Sequence, residues 1–319
     1  MREGQFIKRN LGRWQQYQEN TEDPDEVAKR FTYLVDDLSY AKTFYPHGNT
    51  IKYINGIAAG IYLSIYKNKK ESTRRLITFW TTELPLVIRR NHRLLLFTFL
   101  FFLVFVGLGV FSAYIDQTFI RAVLGDGYVD MTERNIAAGN PFGVYKDADS
   151  MSMFFQIAFN NIKVAFLCYT MGITAGLVTM YLLFTNGLMV GVFEYMFFHH
   201  HLGFKSVLVI FVHGTLELSA IVIAGCAGLS LGYALLFPGT YTRIQSLRTA
   251  AKDSIKIIIS LVPIFIVAAF FESFVTRHTE MPVWMSLLIL LSSAAFIIWY
   301  FVMYPIIVSE KVNLNAPEQ

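Results

Sequence analysis

Cysteine is nearly absent from this chain, with two in 319 residues. That is too few for a disulfide framework, and no CxxC pair offers a metal signature. Cys168 and Cys226 both lie in apolar runs and read as packing residues. No HExxH motif is present, so the usual zinc frame of a helical hydrolase is missing. No phosphate-cradling glycine loop, GxSxG elbow or kinase motif set occurs either. The start, "MREGQFIKRNLGRWQQYQEN", is polar and lacks the apolar core of a cleavable signal peptide. Charge is scarce: 16% of residues are Asp, Glu, Lys or Arg, and the net charge is +4. No concentrated basic patch stands out, which argues against nucleic acid as a partner.

What is present in excess is apolar surface. Hydrophobic residues make up 54% of the chain, aromatics 16%, and mean hydropathy is +0.45. The excess falls in long uncharged runs, the pattern of a multi-pass membrane protein. "LLLFTFLFFLVFVGLGVFSAYI" (94–115) is the first such run. The sequence predicts a second over 164–185, then a tight turn at Asn186-Gly187. A short third segment (188–198) carries Glu194, and an overlong fourth covers 206–237. Gly225, Gly228 and Gly232 suggest a break, a kink or close packing there. Two more segments, 257–276 and 283–308, complete about six. A five-crossing arrangement with a re-entrant third segment is the rival.

Residues 1–92 are of different character. Asp23-Pro24 opens a helix. Val27, Phe31, Leu34, Leu38 and Ala41 recur at helical spacing and form an apolar stripe. The charged stretch "KNKKESTRR" follows. "FWTTELPLVIRRNHR" has a tryptophan and paired arginines suited to a membrane surface. The expected organisation is a helical domain over 1–92, a membrane domain over 93–309 with an outer loop at 116–150, and a short tail at 310–319. The fold class is all-α. Segment 238–256 carries Arg243, Arg248, Lys252 and Lys256 against Asp253, whereas 116–150 holds six acids against three bases. The positive-inside rule then places the N-terminus and 238–256 in the cytoplasm.

Ionisable groups at membrane depth are costly, so Glu194, His213, Glu217 and Glu272 are the functional candidates. His213 and Glu217 are one helical turn apart and share a face. They read either as polar glue between helices or as part of a proton or ion path, a regulatory site or a catalytic centre. Asn161 and Asn186 are candidates for capping or interhelical bonds. "GITAG" and "GLMVG" place Gly172, Gly176, Gly187 and Gly191 at small-xxx-small spacing, which permits close helix approach. His199 to His201 are consecutive, point in different directions, and fit an interface better than a ligand set. Lys163 and Lys205 are expected near segment ends. No catalytic residue, cofactor or metal is expected.

Several ordered motifs resemble the stage II sporulation protein M family of bacterial membrane proteins. They are "NNIKVAFLCYTMGITAGLVTMYLLFTNGLMVG", "HGTLELSAIVIAGCAGLSLG" and "FFESFVT", with Trp14, "YLVDDLSYAKTFY", "YING" and "ELPLVIRR" upstream. By that resemblance Asn161, Gly172, Asn186, Gly187, Gly191, His213, Gly214, Glu217, Gly228 and Glu272 occupy the family's recurrent positions. The namesake works in spore-forming bacteria as a membrane platform for cell-wall-degrading partners. This chain departs from it in having a long helical N-terminal region. The resemblance implies a non-enzymatic scaffold in the bacterial cytoplasmic membrane, with protein partners bound through 1–92 or 116–150 and homo-oligomers among its assemblies. The alternative is a transporter or channel using His213 and Glu217, which requires a cavity reaching them. A metal-dependent intramembrane hydrolase ranks third.

Overall fold

The computed structural model describes residues 1–19, 21, 23–67, 74–143, 149–276 and 281–314. Most of the charged "KNKKESTRR" stretch, part of the expected outer loop and the end of the tail lie outside these. Among the described residues all regular structure is helical. The chain divides into two compact units, Met1–Ile77 and Thr78–Gln319.

The first unit contains α1 (Glu3–Gln16), α2 (Pro24–Phe44) and α3 (Asn49–Lys67). Asp23 caps α2, its carboxylate accepting from the Asp25 amide, with Pro24 at the first helical position. The stripe foreseen on α2 faces inward: Leu34 and Ala41 are fully buried, and Phe31 and Leu38 pack beside them. They meet Phe6 and Trp14 from α1 and Ile54, Ile57 and Ala58 from α3. The Trp14 indole Nε1 donates to Asp37 Oδ2 at 2.7 Å, so the largest core side chain is also hydrogen-bonded. The buried Arg30 guanidinium donates to the carbonyls of Gln16 and Glu19, closing the exposed end of α1.

α4 (Arg74–Thr78) and a π-helical turn (Phe79–Glu83) lead to α5 (Leu84–Arg90). On α5, Leu84, Val87 and Ile88 are buried in the core of the second unit. α5 thus belongs to the second compact unit, because this short helix spends its apolar face on the membrane bundle. Arg90 pairs with Asp253, and Lys256 donates to Glu83 at 2.8 Å.

Among the described residues, six helical stretches are long and apolar enough to cross a membrane. They are α6 (His92–Ile115), α9 (Ser150–Thr170) with a following 3-10 turn, α10 (Leu177–His199), α11 (Gly203–Leu236), α12 (Arg243–Phe270) with a π-helical turn at Phe271–Val275, and α13 (Val283–Ile298) continuing through a second π turn into α14 (Tyr304–Leu314). Between α6 and α9 stand α7 (Thr118–Leu124) and α8 (Asp126–Ala137), so much of the expected outer loop is helical. There Arg121 pairs with Asp130, Glu133 and Asp126. Thr118 donates to the Asp116 carboxylate through both hydroxyl and amide, holding that carboxyl below its ordinary range.

The second and third segments differ from the sequence expectation. The turn lies at Met171–Gly176, where Ala175 and Gly176 have φ of 56° and 81°. Asn186-Gly187 sits in the middle of α10. The reason is packing: a side chain on Gly187 would meet the Phe102 carbonyl, and one on Gly191 the Val106 carbonyl. These glycines let α10 lie against the backbone of α6. The α11 glycines likewise produce no break. Gly228 abuts the Cys168 carbonyl and Gly232 the turn at Ala175-Gly176, within one continuous helix. Both cysteines are buried and unpaired.

Candidate functional site

α11 is the most enclosed of the spans, and His213 and Glu217 project from it one turn apart. They do not simply bond each other. His213, only 4% exposed, has Nδ1 3.0 Å from Thr276 Oγ1 and Nε2 3.9 Å from Glu272 Oε1. Glu217 turns to the neighbouring helix α9, where Asn161 Nδ2 donates to its Oε1 at 2.6 Å. Glu272 arrives on the π-helical turn that ends α12. Such turns widen the backbone by one residue and recur at functional sites. Here the turn carries Glu272 toward His213, and Thr276 follows directly after it.

Three donor atoms, one each from His213, Glu217 and Glu272, lie within 4.8 Å of one another. A cavity of about 360 Å³ reaches the two carboxyl groups and is also lined by Gln156, Ile157, Asn160 and Asn161. The groups on α9 explain its low hydropathy: its polar face looks into the cavity. Asn161 is mid-helix and bridges two spans. At 1.5 Å per residue His213 stands about 15 Å along α11 from Gly203, well inside the bundle.

The other sequence candidates lie apart from this cluster. Glu194 accepts from the Ser206 hydroxyl at 2.9 Å, joining α10 to the start of α11. Asn186 donates to the Leu182 carbonyl one turn back. Gly172 and Gly228 face each other where the 3-10 turn meets α11, and Gly214 has no neighbouring atom closer than 3.8 Å to its Cβ position. His199 sits 3.4 Å from the Gln117 side chain at the end of α10. Lys163 is exposed in the middle of α9, not near a segment end, because that span begins well before it. Thr276 and Gln156 also belong to the site, through the contact to His213 and the cavity lining. A threonine next to an acidic π turn gives no sequence signal of its own.

Fold and site together define a multi-pass helical membrane protein with an ionisable centre inside its bundle. Residues 98–277, more than half of the chain, match the family described as Stage II sporulation protein M, and the chain belongs to that family. Residues 4–67 match a domain of unknown function (DUF8413), which falls on the first compact unit. No curated protein and no solved structure matches the chain.

Proposed function

We propose that this chain is a non-enzymatic platform of the bacterial cytoplasmic membrane, in which the N-terminal unit engages protein partners and the membrane unit holds it in place. The observation that carries this reading is the independence of the first unit. It has its own apolar core around Trp14, its own family match over 4–67, and needs no membrane span to close that core. Its surface still exposes Tyr33, Val35, Phe44, Tyr62 and Leu63, apolar side chains of the kind that partner surfaces use. The clustering of Arg243, Arg248, Lys252 and Lys256 at the start of α12 supports a cytoplasmic N-terminus. Six crossings return Lys311 to the same side.

The test is photo-crosslinking in intact membranes from positions 33 and 35 of the full-length chain. A reproducible protein adduct, lost when Phe44 and Leu63 are both replaced by Lys with the probe kept in place, is expected. Adducts only with lipid, or none, overturn the reading.

A second reading is favoured by the cavity at Glu217 and Glu272: a path for protons or small cations through the membrane unit. A cavity adjoins both carboxyl groups, as that reading requires. Flux of protons or monovalent cations in proteoliposomes, lost in Glu217→Gln, is its signature.

A further inference from the structure

The same cluster carries a more specific chemistry than a polar lock. We propose that His213, Glu217 and Glu272 form a binding site for one divalent transition-metal ion of the Mn²⁺, Fe²⁺ or Zn²⁺ class, which ties α11 to the π-helical end of α12. The proposal goes beyond the platform reading and does not depend on any ion crossing the membrane.

The geometry fits a metal at each step. One nitrogen and two carboxylate oxygens converge within 4.8 Å of one another. Metal–ligand bonds of about 2.0–2.2 Å put tetrahedral ligand atoms ~3.4 Å apart, so closure brings each ligand inward by at most ~0.8 Å, a shift that side-chain rotation supplies. Charge also matches. Two carboxylates and a neutral imidazole balance a dication in a region where uncompensated charge is expensive. Donor type narrows the choice. The set contains no thiolate, which disfavours copper(I), and its imidazole disfavours calcium, a cation of six to eight oxygens.

The surroundings behave as outer support. With Nδ1–H donating to Thr276 Oγ1, at 3.0 Å, the histidine presents Nε2 to the cluster, and Nε2 already faces Glu272 Oε1. Asn161 fixes Glu217 from the opposite side through its 2.6 Å bond. Such second partners orient ligands and are worth about 10–100-fold in affinity. The cavity lies against Glu217 and Glu272 and gives an ion and its bound water room beside the ligands. Its remaining polar lining among the described residues is amide: Gln156, Asn160 and Asn161. Amides do not ionise near neutral pH, so these three side chains offer an ion a seat but no general base for hydrolysis. The sequence expectation of no metal rested on the missing HExxH frame. The third ligand comes instead from Glu272, on another helix.

The full-length chain, purified in lipid nanodiscs and stripped with chelator, is titrated with Mn²⁺, Zn²⁺ or Co²⁺ alone. Bound metal is counted by mass spectrometry and the Co²⁺ absorption spectrum recorded. The proposal expects about one equivalent per chain and visible Co²⁺ bands of a nitrogen–oxygen site. Glu272→Gln, a near-isosteric change at the cavity wall, should weaken binding at least tenfold, and Thr276→Val should weaken it roughly 10–100-fold. Glu194→Gln, distant from the cluster, should bind as the parent does. Thermal unfolding of each stripped protein shows whether it is folded, and Glu272→Gln decides the matter if His213→Ala is not. Binding that is absent or non-stoichiometric, or that is unchanged in folded Glu272→Gln, overturns the site. Partner crosslinking and cation flux are read separately, so failure here leaves those readings to their own tests.

Discussion

The two units are both helical, yet they are held together by opposite means. The first unit is built around large side chains. Trp14 is 1% exposed and packs edge-on to Phe6, with Leu34 and Ile54 behind it. Its polar anchors lie at the core boundary, where Asp37 takes both the Trp14 indole and the Arg13 guanidinium. The membrane unit is built around missing side chains. Gly109, Gly187 and Gly191 let α6 and α10 touch backbone to backbone, and Gly172, Gly228 and Gly232 do the same for α11. The difference follows from the solvent. In water, burial of big apolar groups drives association. In lipid the tails are as apolar as leucine, so only closer packing and polar contacts favour helix over lipid. A single fold class therefore needs two kinds of sequence within one chain.

Breaking the first kind should have the largest effect. Trp14→Ala removes the biggest buried side chain of the N-terminal unit and leaves Asp37 without its indole partner. Truncation of a buried tryptophan costs about 3–5 kcal/mol. A unit of this size has little stability to spare, since small domains bury a smaller share of their surface. Hydrogen exchange should rise across α1 to α3 while α10 and α11 keep their protection. Loss of protection in both units would show that the membrane unit leans on the first.

The converse change is overfilling. Gly191→Leu puts a side chain against the Val106 carbonyl, an atom that cannot move aside without shifting α6. Overpacking of this kind costs about 1–3 kcal/mol. The expected result is a lower melting temperature of the membrane unit in detergent, with exchange raised in α6 and α10 only. The same substitution at Gly107, where nothing lies within 4 Å, should be close to neutral. Equal effects at the two positions would defeat the packing account of the glycine seams.

These contrasts also explain what the sequence disclosed. The α2 stripe was legible because one face meets water and the other the core, so polarity records the helical period. Within the membrane that record fades. Nearly every residue of α6 is apolar, whichever way it points. The existence of the spans was therefore plain, but the ends of the second and third were not. Asn186-Gly187 is a common turn dipeptide, and its glycine in fact serves packing. "GITAG" has the spacing of a packing motif, and it is also the turn. The pairing of His213 with Glu217 on one face was visible from their spacing. Their meeting with Glu272 was not, because only the fold brings that residue close. The π turn that aims it has no sequence signature.

The smallest expected effect lies at the rim of the membrane unit, where its polar contacts most resemble those of a soluble protein. Lys256 and Glu83 are 2.8 Å apart, with side chains 32% and 36% exposed. Ion pairs this accessible are screened and cost side-chain freedom to hold, so they contribute about 0–1 kcal/mol. Lys256→Ala should therefore lower stability by at most ~1 kcal/mol, and the difference should shrink further in high salt. Melting temperatures of parent and variant at low and high ionic strength provide the check. A loss well above 1 kcal/mol that persists in salt would mean that this contact is structural. α5 would then be pinned to α12 by charge, with the burial of Leu84, Val87 and Ile88 a consequence. A small, salt-sensitive loss assigns that pinning to the three apolar side chains, and places α5 with the glycine seams among the packing-driven parts of the membrane unit.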